Sequence, residues 1–226
     1  RGHRPYLVPF IRTTPIMILK SLPLLAAGIL FTAPHVELRD MAIGDPLPAA
    51  DVVMTDVSSK EMTLKELVRP NGLLVIFSCN TCPFVIGTED SEGWEGRYPN
   101  YGELCRKNRV GMALVNSNEA KRDKGDGLPD MQRRYKEMGY DHYYLLDKDH
   151  VVADAFGART TPHVFLFDKD LKLVYKGAID DNVERAGEVK EHWLRNAIDA
   201  MVQGRPIDPD ATRNIGCSIK RVAHTH

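Results

Sequence analysis

Leu73-Leu74-Val75-Ile76-Phe77-Ser78-Cys79-Asn80-Thr81-Cys82-Pro83-Phe84-Val85 decides the fold. Five uninterrupted apolar residues read as a strand buried on both faces. Pro83 then opens a helix, because proline is tolerated in a first turn where its missing N–H would have no partner anyway. Two thiols, Cys79 and Cys82, sit at the strand exit and helix entry. Unpaired N–H groups and the positive end of a helix dipole favour thiolate over thiol there. The thiolate is the species that attacks a disulfide. On this reading Cys79 attacks from the exposed side of the turn, and Cys82, one turn further in, is the resolving sulfur.

Outward from this centre, strands and helices alternate. Leu47 to Asp56 holds a first short strand, and Ser58 to Val68 reads as a short amphipathic helix stopped by Pro70 and Asn71-Gly72. After the cysteine turn, Tyr101 to Asn108 is a helix and Val110 to Val115 a buried strand ending at Asn116-Ser117-Asn118. Lys121 to Gly127 is a charged loop, Leu128 to Met138 a helix, Tyr143 to Leu146 a strand and Asp149 to Phe156 a helix. His163 to Phe167 and Leu171 to Tyr175, joined by Asp168-Lys169-Asp170, form a hairpin signal. Val189 to Val202 is a closing amphipathic helix. The order implies an α/β fold with a mixed central β-sheet flanked by helices on both faces. In such sheets chemistry collects at the carboxyl ends of parallel strands, and Cys79 lies at one.

The 226 residues are 43% hydrophobic and 27% charged, which fits one globular domain with an extension. A net charge of -1 lacks the basic footprint of a nucleic-acid binder. Four cysteines are too sparse to staple a small domain, so the first two read as chemical. No acidic residue precedes Glu37, while Arg1, Arg4, Arg12 and Lys20 lead into the uncharged Leu22 to Ala33. That layout is a secretory signal or an uncleaved anchor, and an organellar presequence is an alternative. The expected organisation is a targeting segment over 1–33, a linker over 34–46, the catalytic domain over 47–220 and a tail over 221–226. Export to a periplasmic or other extracytoplasmic space follows.

Thr160-Thr161-Pro162 precedes the hairpin. Together with Ile76 to Val85, Ala113 to Asn118, Gly157 to Asp168, Lys176 to Asn182 and Gly216-Cys217-Ser218-Ile219-Lys220, it resembles the thioredoxin-like superfamily, in its redoxin or AhpC/TSA (peroxiredoxin-like) branch. The resemblance spans Ala42 to Lys220. It implies a thioredoxin fold, a redox dithiol at Cys79 and Cys82, and a cis peptide before Pro162. It also implies a backbone at Thr161 that pairs with an incoming peptide or disulfide substrate, beside Asn80 and Thr81. One departure bears on the reaction. Peroxiredoxins resemble a pattern with Pro seven and Thr or Ser three residues before the reactive cysteine, and neither Cys79 nor Cys82 has it.

Thiol–disulfide exchange through a mixed disulfide is therefore the expected activity, with a protein dithiol or a small thiol as partner and no cofactor. A thiol-dependent peroxidase is the alternative, and a copper-binding assembly factor a third reading. No clustered ligand motif calls for a metal. Membrane association is expected only through the N-terminal anchor. Arg159 is an auxiliary candidate as a nearby cation, His163 as a neighbour that tunes thiolate charge or binds copper, and Cys217 as a distal resolving thiol. Cys105, beside Leu104 in a helix, reads as a small buried hydrophobe. Trp94 and Trp193 read as core aromatics, with Trp94 also able to rim a groove.

Overall fold

In a computed structural model the described residues are 2–3 and 39–223. The chain divides into two units, Arg1–Val36 and Glu37–His226, and the architecture below is that of the second. The segment expected to be a targeting signal, residues 1–33, lies almost wholly outside the described residues. Among the described residues no helix is long and apolar enough to cross a membrane.

In chain order the elements are β1 (Met54–Asp56), β2 (Glu61–Met62), α1 (Leu64–Leu67), β3 (Leu73–Phe77), α2 (Pro83–Ile86), α3 (Tyr98–Lys107), β4 (Gly111–Asn116) and α4 (Leu128–Glu137). Then come β5 (Tyr143–Leu146), α5 (Val151–Phe156), β6 (Thr160–Thr161), β7 (His163–Phe167), β8 (Leu173–Gly177), α6 (Trp193–Val202) and β9 (Cys217–Ser218). Seven strands form one mixed sheet in the order β2-β1-β5-β4-β3-β7-β8, while β6 and β9 pair separately. The central strand β3 runs parallel to β4 and antiparallel to β7. This is the α/β thioredoxin fold with helices on both faces.

Side chains alternate across a strand, so β3 feeds two cores. Leu74 and Ile76 face a core completed by Tyr101 and Cys105 of α3, Met131 of α4 and Leu194 and Ile198 of α6. Leu73, Val75 and Phe77 face the other, with Leu64 and Leu67 of α1 and Phe156 of α5. There Phe77, Phe156 and Phe165 meet edge to face at 5.2 to 5.7 Å.

The helix expected over Ser58 to Val68 shrinks to one turn. Glu61 and Met62 pair with β1 instead, and Thr63 and Glu66 cap α1 reciprocally. A four-residue helix has no stability of its own. Fully buried Leu64 and Leu67, each contributing on the order of 1.5–3 kcal/mol, hold it in place. The turn into β3 needs glycine at position 72, where φ is +119° and a Cβ would overlap the Phe167 carbonyl. Within the segment read as a linker, Met41 is buried and Gly44 N–H donates to the Leu173 carbonyl at 2.8 Å, so its described part lies along β8.

Candidate functional site

Strand β3 ends at Phe77, and Ser78 to Cys82 turn the chain into α2. This turn is held chiefly by Asp126, from the charged loop before α4. Its buried carboxylate accepts four hydrogen bonds. They come from Asn80 N–H (2.7 Å), Thr81 Oγ1 (2.7 Å), Asn116 Nδ2 (3.0 Å) and Asn118 Nδ2 (3.0 Å). Asn80 Nδ2 also donates to the Gly125 carbonyl, and Asn80 Oδ1 accepts from the Tyr144 hydroxyl. Burial raises the Tyr144 phenol well above its usual value, so it stays a donor. Arg122 braces the far side, donating to the Asp126 and Asn116 carbonyls and to Asn116 Oδ1. Asn80 and Thr81 are thus structural clamps of the turn as much as its surface.

Both sulfurs lie against the residue before Pro162. The Thr161–Pro162 peptide is cis. Thr161 Oγ1 is 3.1 Å from Cys79 Sγ, and the Thr161 carbonyl accepts from Cys82 Sγ at 3.2 Å. No disulfide is present, and both side chains are buried, each only 2% exposed. This corrects the expectation that Cys79 lies on an exposed side of the turn.

Cys82 is drawn down to about 5, first by the hydrogen bond from the Cys79 thiol and then by donors on Cys217 and Thr161, against the cost of burial. Cys79 is pushed well up. Its thiol is the donor to Cys82, it is buried, and the Asp126 charge opposes a second negative charge beside it. Helix α2 is a single turn, so its dipole is small. Directed hydrogen bonds, converging on Cys82 from three separate segments, favour the charge on that sulfur.

Cys217 completes the group. Strand β9 pairs antiparallel with β6, with Cys217 opposite Thr161. Cys217 N–H points at Cys82 Sγ at 3.4 Å, and its thiol is hydrogen-bonded to the same sulfur. Burial, followed by its donation to Cys82, raises the Cys217 thiol to about 11. The backbone edge expected to receive a substrate at Thr161 is therefore taken by the chain's own β9.

Two candidates fall away from the thiols. His163 follows Pro162 but shares the face of Phe165 and Phe77, its ring 4.4 Å from that of Phe165, while both cysteines face the opposite core. One residue along a strand reverses the side, which is why adjacency to Pro162 misleads. Burial lowers its imidazole to about 4, so it is neutral at pH 7. A Cys-Cys-His copper set is not brought together. Arg159 lies half-exposed with its Nε 3.4 Å from Asp40, beside His163. Among the described residues, no group of three or more His, Cys, Asp or Glu is disposed to hold a metal ion. Cys105 is buried in the α3 core, which raises its thiol to about 12. Trp94 is buried too, its indole N–H donating to Asp180 at 2.9 Å.

No protein-family model and no curated protein matches the chain. Solved structures do match. An uncharacterised conserved protein from Geobacillus kaustophilus is 30% identical over 81% of this chain and 94% of its own, with a TM-score of 0.72. A hypothetical protein from Sinorhizobium meliloti 1021 is 32% identical over 82% of this chain and 98% of its own, also at 0.72. The chain belongs to their family. A solution structure of a thioredoxin-like protein in the oxidized form is 18% identical over 73% of this chain and 99% of its own, at a TM-score of 0.52. This likeness shows the fold alone.

Asp126, Asn116, Asn118 and Tyr144 were not singled out as site residues in the sequence. Asp126 lies in a stretch that reads only as a charged loop. Asn116 and Asn118 read as turn formers.

Proposed function

We infer that this protein is a thiol–disulfide oxidoreductase of the redoxin type, using the Cys79–Cys82 pair. The observation that carries the reading is the pair of buried sulfurs held against the cis Thr161–Pro162 peptide, Cys79 Sγ 3.1 Å from Thr161 Oγ1 and Cys82 Sγ 3.2 Å from the Thr161 carbonyl. Donors around Cys82 favour its thiolate once its thiol gives up the proton directed at that carbonyl. The Cys82 thiolate attacks one sulfur of a partner disulfide. The partner S–S bond breaks, a thiolate leaves, and a Cys82 mixed disulfide forms. Cys79 then attacks Cys82, passing its proton to the departing second thiolate, and a Cys79–Cys82 disulfide remains. The reverse sequence oxidises a dithiol. Thr81 and Pro83 are exposed around the buried pair and form the approach surface.

Export, and a partner that is a protein dithiol or a small thiol, remain parts of this proposal. The test is reduction of insulin disulfides by the full chain with dithiothreitol as electron donor. Cys82→Ser should abolish turnover, while Cys79→Ser combined with Cys217→Ser, which removes both thiols beside Cys82, should accumulate mixed disulfides at Cys82. Full activity of Cys82→Ser refutes the assignment of the attacking sulfur. Absence of activity in the parent, together with rapid hydrogen peroxide consumption in stopped flow, replaces the reading with a thiol peroxidase.

A further inference from the structure

A third sulfur stands beside the pair, and the fold spends several interactions to keep it there. Cys217 belongs to β9, and both ends of that short strand are fastened. Before it, Asn214 Nδ2 donates to Thr160 Oγ1 at 2.6 Å. After it, Ile219 N–H donates to the Arg159 carbonyl at 3.0 Å and Lys220 N–H to Asn118 Oδ1 at 2.9 Å. The last bond ties the strand to the cluster that clamps Asn80 and Thr81, since Asn118 also donates to Asp126. Gly216 lies directly on the Thr161–Pro162 peptide, where any Cβ would overlap the Thr161 carbonyl. Only glycine lets the strand come this close.

The result is that Cys82 is hydrogen-bonded to both of the other two thiols. Its Sγ accepts from the Cys79 thiol and from the Cys217 N–H and thiol. Cys217 Sγ in turn accepts the Phe84 N–H of α2. The outer sulfur differs from the inner two in access: Cys217 is half-buried, whereas Cys79 and Cys82 are buried.

We propose that Cys217 is the third thiol of the redox centre, forming a Cys82–Cys217 disulfide that exchanges with Cys79–Cys82 and covalently closes β9 over the site. The inference rests on the oxidoreductase reading above and adds a residue to its machinery. In the oxidised protein, Cys217 loses its proton and attacks Cys82 Sγ. The Cys79–Cys82 bond breaks, its electron pair passes to Cys79, and Cys79 takes up a proton. The exchange is an isomerisation, so it needs no further oxidant. After attack on a partner disulfide, the same approach at Cys82 releases the partner thiol and leaves Cys82–Cys217 in place of Cys79–Cys82. The inner pair thus hands its disulfide to the one sulfur of the three that reaches solvent.

The test is disulfide mapping of the full chain oxidised with glutathione disulfide, alkylated and cut with trypsin. Cys79 and Cys82 fall in one peptide, residues 66–97, and Cys217 in another, residues 214–220. A Cys82–Cys217 bond joins the two peptides, whereas a Cys79–Cys82 bond leaves them separate. The parent should give both products. Cys79→Ser should give the joined product almost alone, and Cys217→Ser should lose it while keeping the Cys79–Cys82 loop. The parent measurement needs no substitution, so a variant that fails to fold does not blunt it. Loop formation without any joined peptide, in the parent and in Cys79→Ser alike, overturns the role of Cys217 and leaves the oxidoreductase reading standing. No disulfide of either kind overturns both.

Discussion

Replacing Asp126 with asparagine tests the architecture of the site with almost no change of shape. The carboxylate of Asp126 faces four donors: the Asn80 N–H, the Thr81 hydroxyl, and the Asn116 and Asn118 amides. An amide has one oxygen and one NH2 group, so in either orientation two donors confront another donor. Hydrogen bonds to a charged group contribute about 1.5–3 kcal/mol each, so losing two costs about 3–6 kcal/mol. Asparagine is spared the cost of burying a charge, which draws the expectation to the lower end. For a chain of this size about 3 kcal/mol lowers Tm by at least roughly 6 °C. The charge also opposes ionisation of Cys79, so its removal should let the Cys79 thiol ionise at lower pH. Thermal unfolding followed by circular dichroism reads the first effect. The pH dependence of thiolate absorbance in the ultraviolet reads the second. An Asp126→Asn variant with an unchanged Tm and an unchanged Cys79 titration would show that the carboxylate does not clamp the turn.

Three further outcomes are expected. Because Cys82 ionises near 5 rather than near the ordinary thiol value of about 8.5, one thiolate per reduced chain should already absorb at pH 7 and be lost only as the pH falls through about 5. A first ionisation midpoint above 8 would contradict this. Gly216→Ala should push β9 off the Thr161 carbonyl, lowering Tm and speeding iodoacetamide labelling of Cys82; labelling as slow as in the parent would mean that β9 does not cover the sulfur. His163→Leu should leave the Cys79–Cys82 potential where it is, because the ring lies on the other face of the sheet. A shift of about 30 mV, a tenfold change in the exchange constant, would refute that placement.

The core of the fold was readable from a few segments. The apolar run of β3, the Asn71-Gly72 turn before it, the strand at Gly111–Asn116 and the hairpin of β7 and β8 all carry their signal in adjacent residues. Burial on both faces needs an unbroken apolar run, and turns need residues that tolerate unusual φ. Short elements were less legible. Strand β2 and helix α1 depend on pairing with β1 and on the pocket that takes Leu64 and Leu67. Strands β6 and β9 have two residues each and exist only because they pair with one another.

For the site, local order alone placed two sulfurs at the mouth of a central strand and a proline some eighty residues later. Long-range packing decided the chemistry those atoms can do. Ionisation answers to whichever donors and charges surround a sulfur, and here they come from Thr161, Cys217 and Asp126, far from Cys79 and Cys82 along the chain. The same holds for His163, whose face is set by strand alternation and not by its distance from Pro162. Neighbours in sequence determine which groups a turn presents. Neighbours in space determine which of them holds the proton.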